Sequence, residues 1–182
     1  MTTLRQTPSQ TAGPYLHIGC APVASGVRPG AGDLGAAAFP DDAPGEVVQV
    51  GGLILDGAGE AVTDAMVEVW QADAAGRFGG ASGHAGWARR MVDPTTGEWR
   101  LRTIRPAALP AQAPHLMLWI AARGLNCALH TRLYFADDDH SGDPVLAAAG
   151  ARAATMIARP DWDIHRLDIH LQGEGETVFL AV

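Results

Sequence analysis

The chain has 182 residues, 47% of them hydrophobic, and this length suits one domain with a substantial core. Its formal net charge of −7 argues against nucleic acid and anionic membrane as partners, and no apolar run approaches the roughly 20 residues that span a bilayer. Residues 1–10 lack the basic and apolar regions of a signal peptide, and Cys20 and Cys127 are too few for a disulfide framework. These features predict a cytoplasmic protein that binds neither nucleic acid nor membrane.

The first quarter of the chain differs in composition from the rest. Residues 1–45 are rich in Gly, Pro, Ala and Ser and show little periodicity, which is typical of an extended arm. A free arm of this length would be disordered, so we expect it to gain order by packing on a partner subunit. The Gly-rich segment 30–33 follows no strand signal and is interpreted as a linker. Residues 46–182 are predicted to form the folded domain.

The domain begins as a series of short segments with turn residues between them. Alternating or continuous apolar patterns predict strands at 47–55, 65–70, 98–104, two within 113–135, 164–171 and 177–182. Residues 72–94 are interpreted as a long Gly-rich loop that contains His84 and Trp87, and such loops are often functional.

One helix is predicted, over residues 143–159, where Pro144 suits the first turn and the body is rich in alanine. Short strands with turns between them and a single helix predict a mainly antiparallel β-sandwich with one helix and a long N-terminal arm.

Six segments carry local sequence patterns of one family, and they lie at 7–19, 54–78, 97–106, 113–124, 129–135 and 172–179. Together they resemble the intradiol ring-cleavage dioxygenases. TPSQTAGPY and QGEGETVF are the most specific strings, and they match the alpha-type subunits of heteromeric members. The resemblance implies a prealbumin-like β-sandwich and the cleavage of a catechol ring by O2 at a non-haem Fe(III). It further implies protocatechuate as the substrate and 3-carboxy-cis,cis-muconate as the product.

The resemblance also implies how catalytic members hold iron, with two tyrosinates and two histidines arranged as His-x-His on one strand. Alternate residues of a strand point to one face, so both histidines can reach one ion. In this chain the motif reads His115-Leu116-Met117, and only one of its histidines is present.

Both tyrosinates are missing as well. The loop 76–90, which should supply one, has Phe78 and no tyrosine, and the stretch 106–114 has none. The two tyrosines of the chain, Tyr15 and Tyr134, lie elsewhere. A lone imidazole cannot hold Fe(III), so we expect His115 to be a partly buried remnant. The Fe(III) is then expected in a partner beta subunit.

The other histidines do not form a cluster in the sequence. His165 and His170 are five residues apart on one predicted strand, so they should point to opposite faces and cannot share a metal. His84 and His140 are predicted to be isolated in loops.

The resemblance places the active site at the junction of the unlike subunits, with the alpha arm at its mouth. It implies that Thr11, Gly13 and Pro14 lie near the substrate and that Arg123 stands at the entrance. A guanidinium suits the benzoate carboxylate of protocatechuate, and glycine lets backbone come close to a ligand or another chain. Along a continuous strand, Arg123 would lie about 26 Å from His115, so we expect it to serve the partner's site.

Tyr15, next in the arm, could pack either at an interface or in the core.

The sequence leaves three hypotheses for function open. The first is a non-catalytic alpha subunit that pairs with the beta subunit in a higher-order (αβ)n assembly. The second, a homomeric intradiol dioxygenase with altered ligands, is disfavoured by the tyrosine count. The third is a binding or structural prealbumin-like module without an enzymatic role, because strings like that at 54–69 occur widely in such domains. The arm strings favour the first.

Overall fold

The computed structural model describes residues 5–28, 32–79 and 86–181. His84, the first half of the linker at 30–33, and Val182 lie outside these ranges. The elements, in chain order, are α1 (Leu16–Cys20), β1 (Val47–Leu55), β2 (Met66–Trp70), β3 (Trp87–Met91), β4 (Glu98–Ile104), β5 (His115–Ala121), β6 (Leu129–Phe135), α2 (Pro144–Ala149) with a 3-10 helix (Gly150–Met156), β7 (Ile157–Asp161), β8 (Ile164–Arg166) and β9 (Ile169–His170).

The strands follow one hydrogen-bonded path, in the order β3-β2-β5-β6-β7-β8-β1-β4, and β9 pairs with β1. Three pairs are parallel, β6 with β7 and β1 with β8 and β9, and the others are antiparallel. The two halves of the path share one core, in which buried side chains from both sides pack together: Val50, Val67, Leu101, Leu118 and Leu133. The predicted mainly antiparallel β-sandwich is therefore confirmed.

The strands β5 and β6 form where the sequence predicts them. In β5, Leu116, Leu118 and Ile120 are buried in the core, while Met117 and Trp119 are half-buried on the opposite face. This alternation is the period of two expected for a strand. Antiparallel pairing aligns residues 115–120 with residues 134–129, and it sets the start of β5 against the end of β6.

The predicted helix 143–159 is correct only in its first part. Asp143 caps α2, because its Oδ1 accepts hydrogen bonds from the backbone N–H groups of Val145 and Leu146. Gly150, with φ of 56°, ends the α-helix, and a 3-10 helix continues to Met156. Residues 157–159 belong to β7 instead. Pro160 disfavours helical backbone in the residue before it, so the chain leaves the helix ahead of this position.

Three other predicted boundaries are wrong. The loop predicted at 72–94 contains β3, which pairs with β2. The strand predicted at 164–171 is divided into β8 and β9, and between them Asp168 accepts a hydrogen bond from Leu53 N. Residues 177–181 are not a strand, although Leu180 N donates to His130 O. The prediction of a single helix also missed α1 in the arm.

The second half of the arm packs on the chain's own sandwich. Gly35 O accepts a hydrogen bond from Arg89 N, and Ala38 O accepts one from Gly86 N, so this segment lies along β3. Ala38 is 1% exposed and Phe39 packs against the main core. The arm therefore contributes to the folded domain before residue 46. In the part of the chain that the structure describes, no helix has the length and apolar character to cross a membrane.

Candidate functional site

His115 begins β5 and is buried in the folded chain. Its Nδ1 lies 2.8 Å from Ala113 O, which can only accept, so Nδ1 carries the proton of the neutral ring. Desolvation by burial lowers the pKa of His115. The expected hydrogen bond is present, but the side chain is more fully buried than the partly buried remnant that the sequence predicts. The ring is neutral near pH 7.

Tyr134 lies opposite His115 across the strand pair, with ring centroids 5.5 Å apart. Its hydroxyl accepts a hydrogen bond from Arg132 at 3.0 Å and donates one to Asp143 at 3.3 Å. Burial raises the pKa of Tyr134 to about 12. The side chain is therefore a neutral phenol at physiological pH and does not act as a tyrosinate.

Asp143 is the buried carboxylate of this cluster. Burial alone would raise its pKa, but hydrogen bonds from the backbone N–H groups of Leu146, Ala113 and Val145 outweigh that effect and hold the pKa of Asp143 below its usual value. These bonds fix the start of α2 against the strand pair. The Asp143 carboxylate therefore serves to hold the start of this helix.

Met117 lies two residues after His115 on β5, where the resemblance implies the second histidine of catalytic members. It lines an open groove of about 180 Å³ on the outer face of the sheet, together with Glu68, Trp70, Leu118, Trp119 and His130. A thioether is a soft ligand, whereas Fe(III) is hard and prefers oxygen and imidazole donors. Among the described residues, no group of three or more His, Cys, Asp or Glu side chains could hold a metal ion.

The donors around His115 therefore do not fit ferric iron. They amount to one neutral imidazole, one phenol that resists ionisation, and one carboxylate committed to a helix cap.

The remaining histidines differ from their predicted surroundings. His140 was expected to be isolated, but its Nε2 lies 2.9 Å from Phe135 O and its ring meets Tyr134 edge-on at 6.0 Å. His165 and His170 lie on separate strands, so the argument from a single strand does not apply to them. His165 packs edge-on against Phe135 at 5.0 Å.

Arg123 occupies the turn between β5 and β6, and its side chain is 61% exposed. Its Nε donates a hydrogen bond to Asp64 Oδ2. Among the residues that the structure describes, Asp64 is the one hydrogen-bond partner of the guanidinium, and the two Nη atoms make no hydrogen bond. The edge that these two atoms form matches a carboxylate in geometry and charge.

The arm is fastened to the same turn. Gly124 N donates to Thr11 Oγ1 at 2.6 Å, and Ser9 Oγ donates to Asn126 O at 2.7 Å. The structure thus brings Thr11 beside Arg123, more than a hundred residues away in the chain. A cleft of about 220 Å³ lies between arm and turn, lined by Gln10, Ala12, Leu16, Trp119, Ala122 and Leu125 among others.

The other predicted arm residues are exposed at this end of the molecule. Gly13 and Pro14 lead into α1, and a Cβ added at Gly13 would meet nothing within 4 Å. No contact within the described chain requires a glycine at that position. Tyr15 is 76% exposed, so the core-packing alternative for it is wrong.

Sequence reasoning missed three residues that build this site: Ser9, Asp64 and Asn126. Ser9 lies inside the specific arm string, which was the available signal. Asp64 and Asn126 act through contacts distant in sequence, and no local pattern marks them.

The family-model comparison matches residues 28–169 to a family described as dioxygenase. The alpha chain of protocatechuate 3,4-dioxygenase from Pseudomonas putida is 42% identical over 193 residues, which cover 97% of this chain and 96% of that protein. The alpha chain from Burkholderia cepacia is 38% identical and is covered in full, as is this chain. This chain belongs to the intradiol dioxygenase family.

Other intradiol dioxygenases are more distant. The beta chain of protocatechuate 3,4-dioxygenase from Burkholderia cepacia is 32% identical over 150 residues, or 74% of this chain and 61% of that protein. The structure of 3-chlorocatechol 1,2-dioxygenase from Rhodococcus opacus 1CP matches with a TM-score of 0.60 at 23% identity, over 72% of this chain and 61% of that one. The structural match supports the fold, and members of this family are Fe(III) enzymes.

Proposed function

We propose that this chain is the non-catalytic alpha subunit of a protocatechuate 3,4-dioxygenase whose beta subunit holds Fe(III). The observation that carries the proposal is the absence of three of the four metal donors in a chain that aligns end to end with alpha chains. Met117 replaces the second histidine, and neither tyrosinate position has a tyrosine. The complex cleaves protocatechuate with O2 to 3-carboxy-cis,cis-muconate. The steps at iron belong to the partner.

Within this proposal, Arg123 recognises the carboxylate of protocatechuate. Asp64 holds Nε and so orients the guanidinium, which leaves the Nη edge for the substrate. A paired contact of this kind is charge-assisted and fixes the direction of the ring as well as its position. The reacting carbons of the catechol lie at the other end of the ring, and they are thereby directed away from this chain and toward the partner.

Thr11, Gly13 and Pro14 form the mouth of the site in this proposal. The bond from Gly124 to Thr11 anchors the arm beside Arg123, and the exposed Gly13 and Pro14 then lie on the side that the partner covers. Gly13 leaves room for the partner's backbone or for substrate.

The arm also supplies the surface on which the beta subunit packs. Its large apolar side chains are exposed in this chain: Tyr15, Ile18, Val27 and Leu34. Exposed apolar groups in such number along one segment favour burial against a partner. We therefore propose that residues 1–45 pack on the beta subunit, apart from the part held on β3, and that residues 46–182 form the sandwich.

Both cysteines are free thiols, which suits a reducing cytoplasmic compartment.

Co-expression with the beta subunit tests the proposal. A tagged form of this chain is expected to purify with the beta subunit in equal amounts, and the complex is expected to cleave protocatechuate in the presence of O2. The same chain expressed alone should show no cleavage. Cleavage by the chain alone would contradict the proposal, and a chain that never pairs with the beta subunit would favour the structural-module hypothesis.

A further inference from the structure

Trp162 stands at the tip of the β7–β8 hairpin with its side chain fully exposed, at 102% relative accessibility. Its φ is 55°, and Ala111 is the one other non-glycine residue with positive φ in the described chain. A bulky residue is disfavoured in this left-handed conformation, for which glycine or asparagine would be the usual choice. The tryptophan therefore costs stability and gains no packing within its own chain. Strain of this kind without a local reward points to a role in binding.

The surroundings of Trp162 define what it can bind. A cleft of about 210 Å³ separates the hairpin from the start of β1, and Val47, itself 49% exposed, lines it beside the tryptophan. The carboxylates of Glu46 and Asp163 also line this cleft, and no lysine or arginine does. The strand β8 pairs with β1 only at Val50 and Gly51, so Val47 lies beyond the paired region. An exposed tryptophan beside two carboxylates is complementary to an apolar pocket that has cationic side chains at its edge.

The position of the hairpin separates it from the Arg123 site. The strand β6 runs away from the Arg123 turn and ends at Phe135, and β7 lies parallel to it with Ala158 beside Phe135. The tip at Trp162 therefore projects past the far end of β6, about 33 Å along the strands from the start of β6. Two binding surfaces at opposite ends of one chain allow contact with two different neighbours, which is how larger assemblies are built from pairs.

We propose that Trp162 and its acidic cleft join one α–β pair to the next in a higher-order assembly. The occupant is a protein surface of the neighbouring pair that presents an apolar pocket with cationic side chains at its edge. Tryptophan is among the residues that dominate binding energy at interfaces. Pairing of β7 with β8, and the fixed φ of Pro160, hold the backbone of the tip and so reduce the backbone entropy lost on binding. This inference rests on the proposed function, since it requires the α–β pair.

The test compares the mass of the purified α–β complex in solution for Trp162→Asn and for the unaltered chain. Asparagine suits the backbone at this position, so the variant should fold at least as well. It is expected to raise the dissociation constant between pairs by at least about 30-fold and to leave single α–β pairs. Ala111→Gly is the matched control, because it relieves the same backbone strain at an exposed site without removing a large apolar group.

Each result of this comparison either supports or overturns the role of Trp162. Single pairs for Trp162→Asn together with an unchanged assembly for Ala111→Gly support the inference. An unchanged mass for Trp162→Asn overturns it, and so does an unaltered complex that is already a single pair. If no α–β pair forms at all, the proposed function itself is overturned. Asp163→Asn should weaken the association less and reduce its dependence on salt.

Discussion

Replacing Arg123 with alanine in the α–β complex is expected to raise KM for protocatechuate about 10- to 100-fold, the value of a charge-assisted hydrogen-bonded contact. KM for catechol should stay nearly unchanged, because catechol has no carboxylate. The informative quantity is the difference between the changes in KM for the two substrates. Steady-state oxygen uptake with each substrate measures it directly.

Two further variants separate recognition from structure. Arg123→Lys keeps the charge but loses the planar fork, so its KM for protocatechuate should fall between those of the unaltered chain and the alanine variant. Arg152→Ala is the matched control, since Arg152 is also an exposed arginine paired with an acidic residue, at 56% side-chain exposure. It should alter KM for neither substrate. An equal rise for both substrates with Arg123→Ala would show that the variant disturbs the turn and does not act through the carboxylate.

Gly51→Ala is expected to destabilise the chain by about 3 kcal/mol or more, the upper range for overpacking at a close backbone contact. A Cβ added at Gly51 would lie 2.2 Å from Trp99 O and 3.0 Å from the Ile164 side chain. The first of these atoms is backbone of the neighbouring strand β4 and cannot rotate away. Because β1 is paired on both sides at this point, neither neighbour can move without breaking its own pairing.

Thermal unfolding of the complex measures this effect as a fall in Tm. Gly175→Ala is the control, since its added Cβ would meet His170 no closer than 3.9 Å, an ordinary contact. Its Tm should match that of the unaltered chain. A Gly51→Ala complex with unchanged Tm would show that β1 can move away from β4, against the pairing described.

Local patterns predicted the strands that alternate clearly. The strands β1, β2 and β4 follow from their apolar patterns, and β5 follows from buried apolar side chains at every second position. These strands place their apolar side chains by the pleat alone, so a single sequence carries the signal. The glycines of β1 do not interrupt it, because they serve a close approach between strands.

The strands β3 and β7 could not be predicted in the same way. The sequence of β3 is WARRM, and its two adjacent arginines are typical of a loop. Arg89 is accommodated in a strand because its guanidinium pairs with Glu68 on β2 and donates a hydrogen bond to Cys20 O of the arm. The strand β7 follows directly after alanine-rich helical sequence, and only its pairing with β6 and β8 defines it. In both cases contacts distant in sequence override local preference.

Part of the candidate site can likewise be predicted from the sequence, and part of it cannot. The missing donors at Met117 and in the tyrosine positions can be recognised from the sequence, since they depend on residue identity at known spacing. The joining of Thr11 to the Arg123 turn depends on a hydrogen bond between segments far apart in the chain. The pairing of Arg123 with Asp64 depends on where β2 begins relative to that turn. The functional role of these residues stays a prediction until the variants are measured.

The iron content of the purified α–β complex, compared with that of this chain alone, shows which subunit holds the Fe(III). Metal analysis by mass spectrometry, with protein quantified by amino-acid analysis, gives the ratio. We expect one iron per α–β pair and none bound to this chain alone, because the donors near His115 do not fit Fe(III). Two irons per pair, or stoichiometric iron in this chain alone, would contradict this expectation.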